Sequence, residues 1–201
     1  MSGDFNIIGF HGTFEKHAQD ILENGFHPEY RANHWLGQGS YFYTDRKLAH
    51  WFITKNAVTD HRKRGIGSNK VIIKVFIEEK EELVLNLDSP DGVNTFYYHL
   101  NEIYPDFKHV KLSSDEHVNL CIVLDVLSEY LGWNVIIKTF ETDRKPSYGS
   151  VNTGWFDRNV FPLNVKYKET QICIRNDNCV KNKEIEYPDG DYAYPVNIRF
   201  S

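Results

Sequence analysis

The sequence predicts an α+β domain, a mainly antiparallel sheet interrupted by helices. Two patterns and their order carry that expectation. Short runs with β-type apolar patterning occur at 6–10, 70–77, 134–140 and 169–175. Helical spacing of apolar residues occurs at 14–22, 45–53, 95–103 and 115–131. The resulting order is strand, helix, strand, helix, several strands, helices, strands, which alternates too irregularly for a doubly wound parallel sheet. The run Gly37-Gln38-Gly39-Ser40-Tyr41-Phe42 is not a GxGxxG fingerprint, and no Walker A motif is present.

The first element is a strand over 6–10, Asn-Ile-Ile-Gly-Phe, leading into His11-Gly12-Thr13. Thr13 is placed to cap a helix whose apolar face is Phe14, Ala18, Ile21 and Leu22, with Asn24-Gly25 as its left-handed stop. Residues 27–34 read as a polar surface loop. Two glycines then turn the chain into a short aromatic strand at 41–43, and Asp45 caps a second helix with Leu48/Phe52 and Ala49/Ile53 one turn apart. Residues 54–69 read as the end of that helix and a basic loop. The strand at 70–77 is followed by a second one on which Leu83, Leu85 and Leu87 alternate. Ser89 to Gly92 is turn chemistry. Helices follow at 95–103 and 115–131, the latter capped by Ser114, stopped at Gly132 and apolar almost all round from Val118 to Leu131, as a buried helix would be. Strands at 134–140 and 169–175 come next, and the Tyr- and Pro-bearing tail is a candidate edge strand.

A length of 201 residues suits a single domain, 1–201, with room for a core, and 41% hydrophobic residues exclude a disordered chain. The net charge of −5 argues against bulk affinity for phosphate backbones, leaving His61 to Arg64 as the one dense basic run. Three cysteines in no CxxC spacing argue against a disulfide framework and a zinc site, and they suit a reduced cytoplasmic protein. No stretch has the length and apolarity of a signal peptide or a membrane span, so no membrane partner is expected.

Taken singly, His11, Tyr41, Trp51, Glu169 and Gln171 read as ordinary strand-end, core or surface residues. Their joint order is informative. The pattern FHGT, then WLGQGSYF, then KLAHW over residues 7–52, with ETQICI at 169–174, resembles the ADP-ribosyltransferases of the poly(ADP-ribose) polymerase type. Those enzymes use a His–Tyr–Glu triad whose third member varies. The resemblance implies a split antiparallel sheet with flanking helices, and it makes residues 89–133 a helical insertion or a divergent part. It implies NAD as substrate and transfer of ADP-ribose, with release of nicotinamide, to a protein or nucleic-acid acceptor. It also admits a toxin or antiviral-defence effector, and with it an antitoxin or inhibitor partner.

By the same resemblance His11 would bond an adenosine-side ribose hydroxyl. The backbone of Gly12 would meet the nicotinamide carboxamide, and Tyr41 would stack on the nicotinamide with Trp51, or alternatively Phe52, as the second aromatic. Thr13 would lie beside this site, and Arg31, Asn33 and His34 would approach adenine and pyrophosphate. Leu48 stands where the family often has a serine. The third triad position is open. Gln171 fits the frame, because Ile172-Cys173-Ile174 follow it, but a carboxamide is no general base. Glu169, two residues upstream, faces the same side of the strand. Either arrangement favours transfer of a single ADP-ribose. The rival reading is a catalytically inactive NAD- or ADP-ribose-binding module, and a plain interaction protein is the third.

Overall fold

Period-two alternation builds the frame of this molecule, and helices bury both of its faces. A computed structural model describes residues 3–30, 34–59, 69–107, 113–142 and 167–188. The elements among them are β1 (Asp4–Phe14), α1 (Glu15–Asn24), β2 (Ser40–Tyr43), α2 (Arg46–Thr59), β3 (Lys70–Lys80), β4 (Val84–Asn86), α3 (Pro90–Phe107), α4 (Glu116–Leu131), β5 (Val135–Thr142), β6 (Tyr167–Ile174) and β7 (Val180–Glu186). The strands form one seven-stranded sheet in the order β4-β5-β6-β2-β1-β3-β7. Only the β4–β5 pair is parallel, and α3 and α4 lie in the crossover that joins its two strands. The fold class is therefore α+β.

Odd-numbered residues of β3 send Val71, Ile73, Val75 and Ile77 to one face, where they meet Ala18 of α1, Phe26, Phe42 and Ile172. The opposite face carries two smaller cores. Leu48 and Ala49 of α2 pack against Tyr43 and Ile72. Leu85, Leu124, Leu127, Trp133, Ile136, Phe140 and Cys173 pack beneath α3 and α4.

Several elements differ from the sequence-based expectation for identifiable reasons. β1 does not stop at Phe10: all eleven of its residues, Asp4 to Phe14, pair with β3, and that long-range ladder outweighs the local break expected at Gly12. Thr13 is accordingly a buried strand residue opposite Val71 and caps nothing. Phe14 occupies the N-cap position with no side-chain cap bond, and the Asn69 carbonyl takes the Glu15 amide instead, at 2.9 Å. Gly25 ends α1 at φ 88°, but its ψ of −175° lies outside the left-handed helical basin.

Ser89 closes a turn on Asn86 and also caps a helix, and residues 90–92, expected as turn, are helical. Its hydroxyl accepts the Gly92 amide at 3.0 Å, so α3 begins at Pro90. The cap of α4 is Asp115, not Ser114, and its carboxylate accepts the His117 amide at 2.9 Å. α4 is buried on one face only, through Cys121, Leu124, Leu127 and Ser128, whereas Tyr130 is 73% exposed. Of the three alternating leucines only Leu85 lies in β4, since Leu83 closes a 3-10 turn. β7 had no sequence signal, because its residues Val180–Glu186 are largely charged and edge strands tolerate charge. Residues 189–201 of the tail and the basic run 61–64 lie outside the described residues.

Candidate functional site

The candidate site lies where the sheet nearly splits. β1 and β2 share a single register pair, Phe10 with Tyr43. Continuing that register would set Gly12 against Tyr41, but no pair forms there. The Tyr41 carbonyl is instead bonded to Nδ1 of His11 at 2.8 Å. A carbonyl only accepts, so Nδ1 carries the proton and the neutral ring keeps Nε2 as its acceptor. Burial lowers the His11 pKa and outweighs the opposing pull of the Tyr41 carbonyl, which favours that neutral tautomer. The ring is fixed edge-on by Phe26 at 5.3 Å and flanked by Phe42 at 5.7 Å.

Because the Tyr41 carbonyl faces β1, strand alternation turns the polar groups of Tyr43 the same way. The Phe10–Tyr43 pair is then the bonded one, and two residues on, the N–H and C=O of Gly12 face the gap. The missing side chain of Gly12 has a second reason that the sequence did not reveal. A Cβ there would lie 3.0 Å from both the Ala49 carbonyl carbon and Ile53 Cβ, with the Ala49 oxygen closer still. Helix α2 packs directly against the strand at this point.

Tyr41 is held at both ends. Its main chain bonds His11, and its hydroxyl donates to the Gly37 carbonyl at 2.7 Å while accepting the Leu36 amide at 2.7 Å. Burial pushes the phenol well above its ordinary pKa, so it stays protonated and able to donate. The ring of His34 lies 5.0 Å away, tilted. Gly37 has φ 84°, so only glycine meets this turn without strain.

β6 runs beside β2, with Tyr41 opposite Cys173 and Tyr43 opposite Gln171. Glu169 and Gln171 do share one face of β6, as their spacing predicted. Both are buried, and the Gln171 amide donates to Glu169 Oε1 at 3.0 Å. Glu169 is 0% exposed and Gln171 8%, so Gln171 is the nearer of the two to the surface. Their cross-strand partners on β5 are Phe140 and Lys138.

The structure thus brings His11, Gly12 and Tyr41 together, with Gln171 and Glu169 on the adjoining strand. Trp51 is half-buried on α2. Phe52 is 38% exposed, and its ring lies 5.9 Å from Tyr43. Leu48 is a buried residue of α2, packed in one cluster with Tyr43. Arg31 and Asn33 lie outside the described residues.

Sequence reasoning missed three groups around the site. Tyr43 joins Gln171 to Phe52. Trp35 packs edge-on to Phe140 at 4.7 Å and stacks on His117 at 5.4 Å. Asp125 and Arg175 form an ion pair at 2.6 Å against the glycine loop. Asp125 had a usable signal, since a carboxylate within the apolar run Val118–Leu131 needs a partner if its helix packs on a core. Among the described residues no group of histidines, cysteines and carboxylates has metal-ligand geometry, and no helix is long and apolar enough to cross a membrane.

No known family profile matches this chain. It is 25% identical to an uncharacterized protein of Methanocaldococcus jannaschii, over an alignment covering 87% of this chain and 85% of that one.

Proposed function

We propose that this chain is an NAD-dependent mono-ADP-ribosyltransferase. The observation that carries the reading is the parting of β1 and β2 at His11-Gly12, where the imidazole occupies the Tyr41 carbonyl. Around the gap lie an imidazole whose Nε2 can accept, the glycine backbone turned toward β2 and a phenol clamped through its hydroxyl. Those are the groups needed by a ribose hydroxyl, a carboxamide and a flat aromatic ring respectively.

In the reaction, the bond between C1′ of the nicotinamide ribose and the ring nitrogen breaks. The electron pair leaves with nicotinamide, which becomes neutral, and positive charge develops on the ribose. The acceptor then bonds C1′ and gives up its proton. Tyr41 and the Gly12 backbone hold the leaving group in a fixed plane, so little reorganisation is needed at bond breakage. The Gln171 carbonyl, with its amide anchored on Glu169, is free to accept a ribose hydroxyl. A carboxamide orients but takes no proton, so deprotonation of the acceptor falls to Glu169 or to the acceptor's own surroundings.

A second reading, an inactive NAD- or ADP-ribose-binding module, is favoured by one observation. Glu169, the nearest carboxylate in the triad frame, is fully buried and already engaged by Gln171. The two readings separate by measuring nicotinamide release and NAD binding in the intact protein and in His11→Ala, Tyr41→Ala, Glu169→Gln and Gln171→Ala. A transferase loses release in the first two variants by about 10²-fold or more. Binding without release, in the presence of cell extract as acceptor source, means a module. Neither binding nor release in the intact protein refutes both.

A further inference from the structure

The structure assigns a positioning role to Asp125 on α4, a residue of the segment that the family resemblance would treat as an insertion. The role rests on the NAD reading above. Asp125 holds the ring of Tyr41 in place through one peptide group. The Gly37–Gln38 peptide is planar and rigid. Its carbonyl accepts the Tyr41 hydroxyl at 2.7 Å, and its N–H donates to Asp125 Oδ1 at 2.6 Å. The same carboxylate oxygen accepts Arg175 Nη1 at 2.6 Å. Arg175 follows directly on β6, whose Cys173 lies opposite Tyr41. A chain of hydrogen bonds therefore runs from Arg175 through Asp125 and one peptide to the phenol, and each bond polarises the next.

The glycine at 37 fits this arrangement twice over. Its φ is 84°, and a Cβ there would meet Asp125 Oδ1 at 2.5 Å and Arg175 Nη1 at 2.8 Å. The ion pair thus leaves room only for glycine at this turn. Rotating the peptide out of this plane would cost Tyr41 its acceptor and Asp125 one of its donors together.

The consequence is selective. Loss of the carboxylate loosens the ring proposed to stack on nicotinamide and leaves His11, the proposed ribose contact, untouched. In Asp125→Asn, NAD binding should weaken about tenfold, which is about 1.4 kcal/mol. ADP-ribose, which lacks nicotinamide, should bind within twofold of the intact protein. Arg175→Gln should follow the same pattern less strongly, and it serves as the second variant if Asp125→Asn does not fold. In the cycle with Tyr41→Phe, which removes the hydroxyl, the two losses should not add, because both act on one relay. Equal weakening of both ligands, no weakening of NAD, or strict additivity overturns the positioning role. Failure of the intact protein to bind NAD overturns the NAD reading instead. The relay is then judged in solution by nuclear magnetic resonance. The Gln38 amide proton, hydrogen-bonded to a carboxylate, should move upfield in Asp125→Asn together with a change in the Tyr41 ring signals. An unmoved Tyr41 ring refutes the relay.

Discussion

Replacing Gly12 by alanine separates the two roles that meet at this residue. The added methyl group would sit 3.0 Å from both the Ala49 carbonyl carbon and Ile53 Cβ, with the Ala49 oxygen nearer. Carbon atoms are most favourable at about 3.5–4.0 Å, so β1 and α2 must part by at least roughly 0.5–1 Å, and the obstacle is helix backbone rather than a flexible side chain. Overpacking of this kind costs about 1–3 kcal/mol. For a chain of this size each kcal/mol lowers Tm by about 2–4 °C, so the expected loss is roughly 2–12 °C by thermal unfolding followed by circular dichroism. Gly9→Ala is the natural control. Its methyl group would meet the Phe42 side chain at 3.0 Å and Ile77 Cδ1 at 3.1 Å. The Ile77 tip can turn aside, and Phe42 Cβ stands farther from Gly9 than the Ala49 carbonyl oxygen does from Gly12, so Gly9→Ala should lose less. A Gly12→Ala protein melting within 1 °C of the parent, or one less affected than Gly9→Ala, would refute the packing argument and leave Gly12 with a role toward ligand alone.

Two further outcomes follow from the titrating groups. His11 is held below its ordinary pKa of 6.5 in the fold, so below pH 6.5 the unfolded chain binds the extra proton and the folded chain resists it. Stability should therefore fall as pH drops from 6.5, by at most about 1.4 kcal/mol per pH unit for one proton. Urea unfolding at pH 7.5, 6.5 and 5.5 should show a shallower slope for His11→Gln than for the parent, and identical slopes would contradict the assignment. The three cysteines are buried, with Cys173 and Cys179 each pushed up to about 12, chiefly by burial. A disulfide exchange reagent at pH 8 should find no fast-reacting thiol in the native protein and three after denaturation. One rapidly modified thiol in the native state would mean that a cysteine pocket opens.

How much of this site was legible in the sequence depends on which distances it spans. His11, Gly12 and Tyr41 stood out only through the order of motifs that resembles the ADP-ribosyltransferases, and the structure places them together at one break in the sheet. Glu169 and Gln171 were correctly placed on one face, since period two needs no tertiary information. That Glu169 is fully buried, and pinned by its neighbour's amide, was not legible. Beside the exposed Lys168 it reads as a solvated charge until β5 and β2 close on either side of β6. The long extension of β1 through the HGT triplet, the charged edge strand β7 and the anchoring of the glycine loop by Asp125 were hidden for the same reason. Each depends on a partner far away in the chain: β3 for β1 and β7, and Gln38 for Asp125 at a separation of 87 residues.

The sequence by itself determined the α+β class, the main helices and strands, and the chemical identity of the groups at the gap, because periodicity and side-chain chemistry are local properties of a chain. The tertiary structure alone decided where those elements end and what each group is paired with. It put α2 against Gly12, the Tyr41 carbonyl on His11, and the Asp125 carboxylate on the Gln38 amide of the glycine loop. Strand pairing and burial set those partnerships, and both arise only when segments distant in sequence exclude water between them.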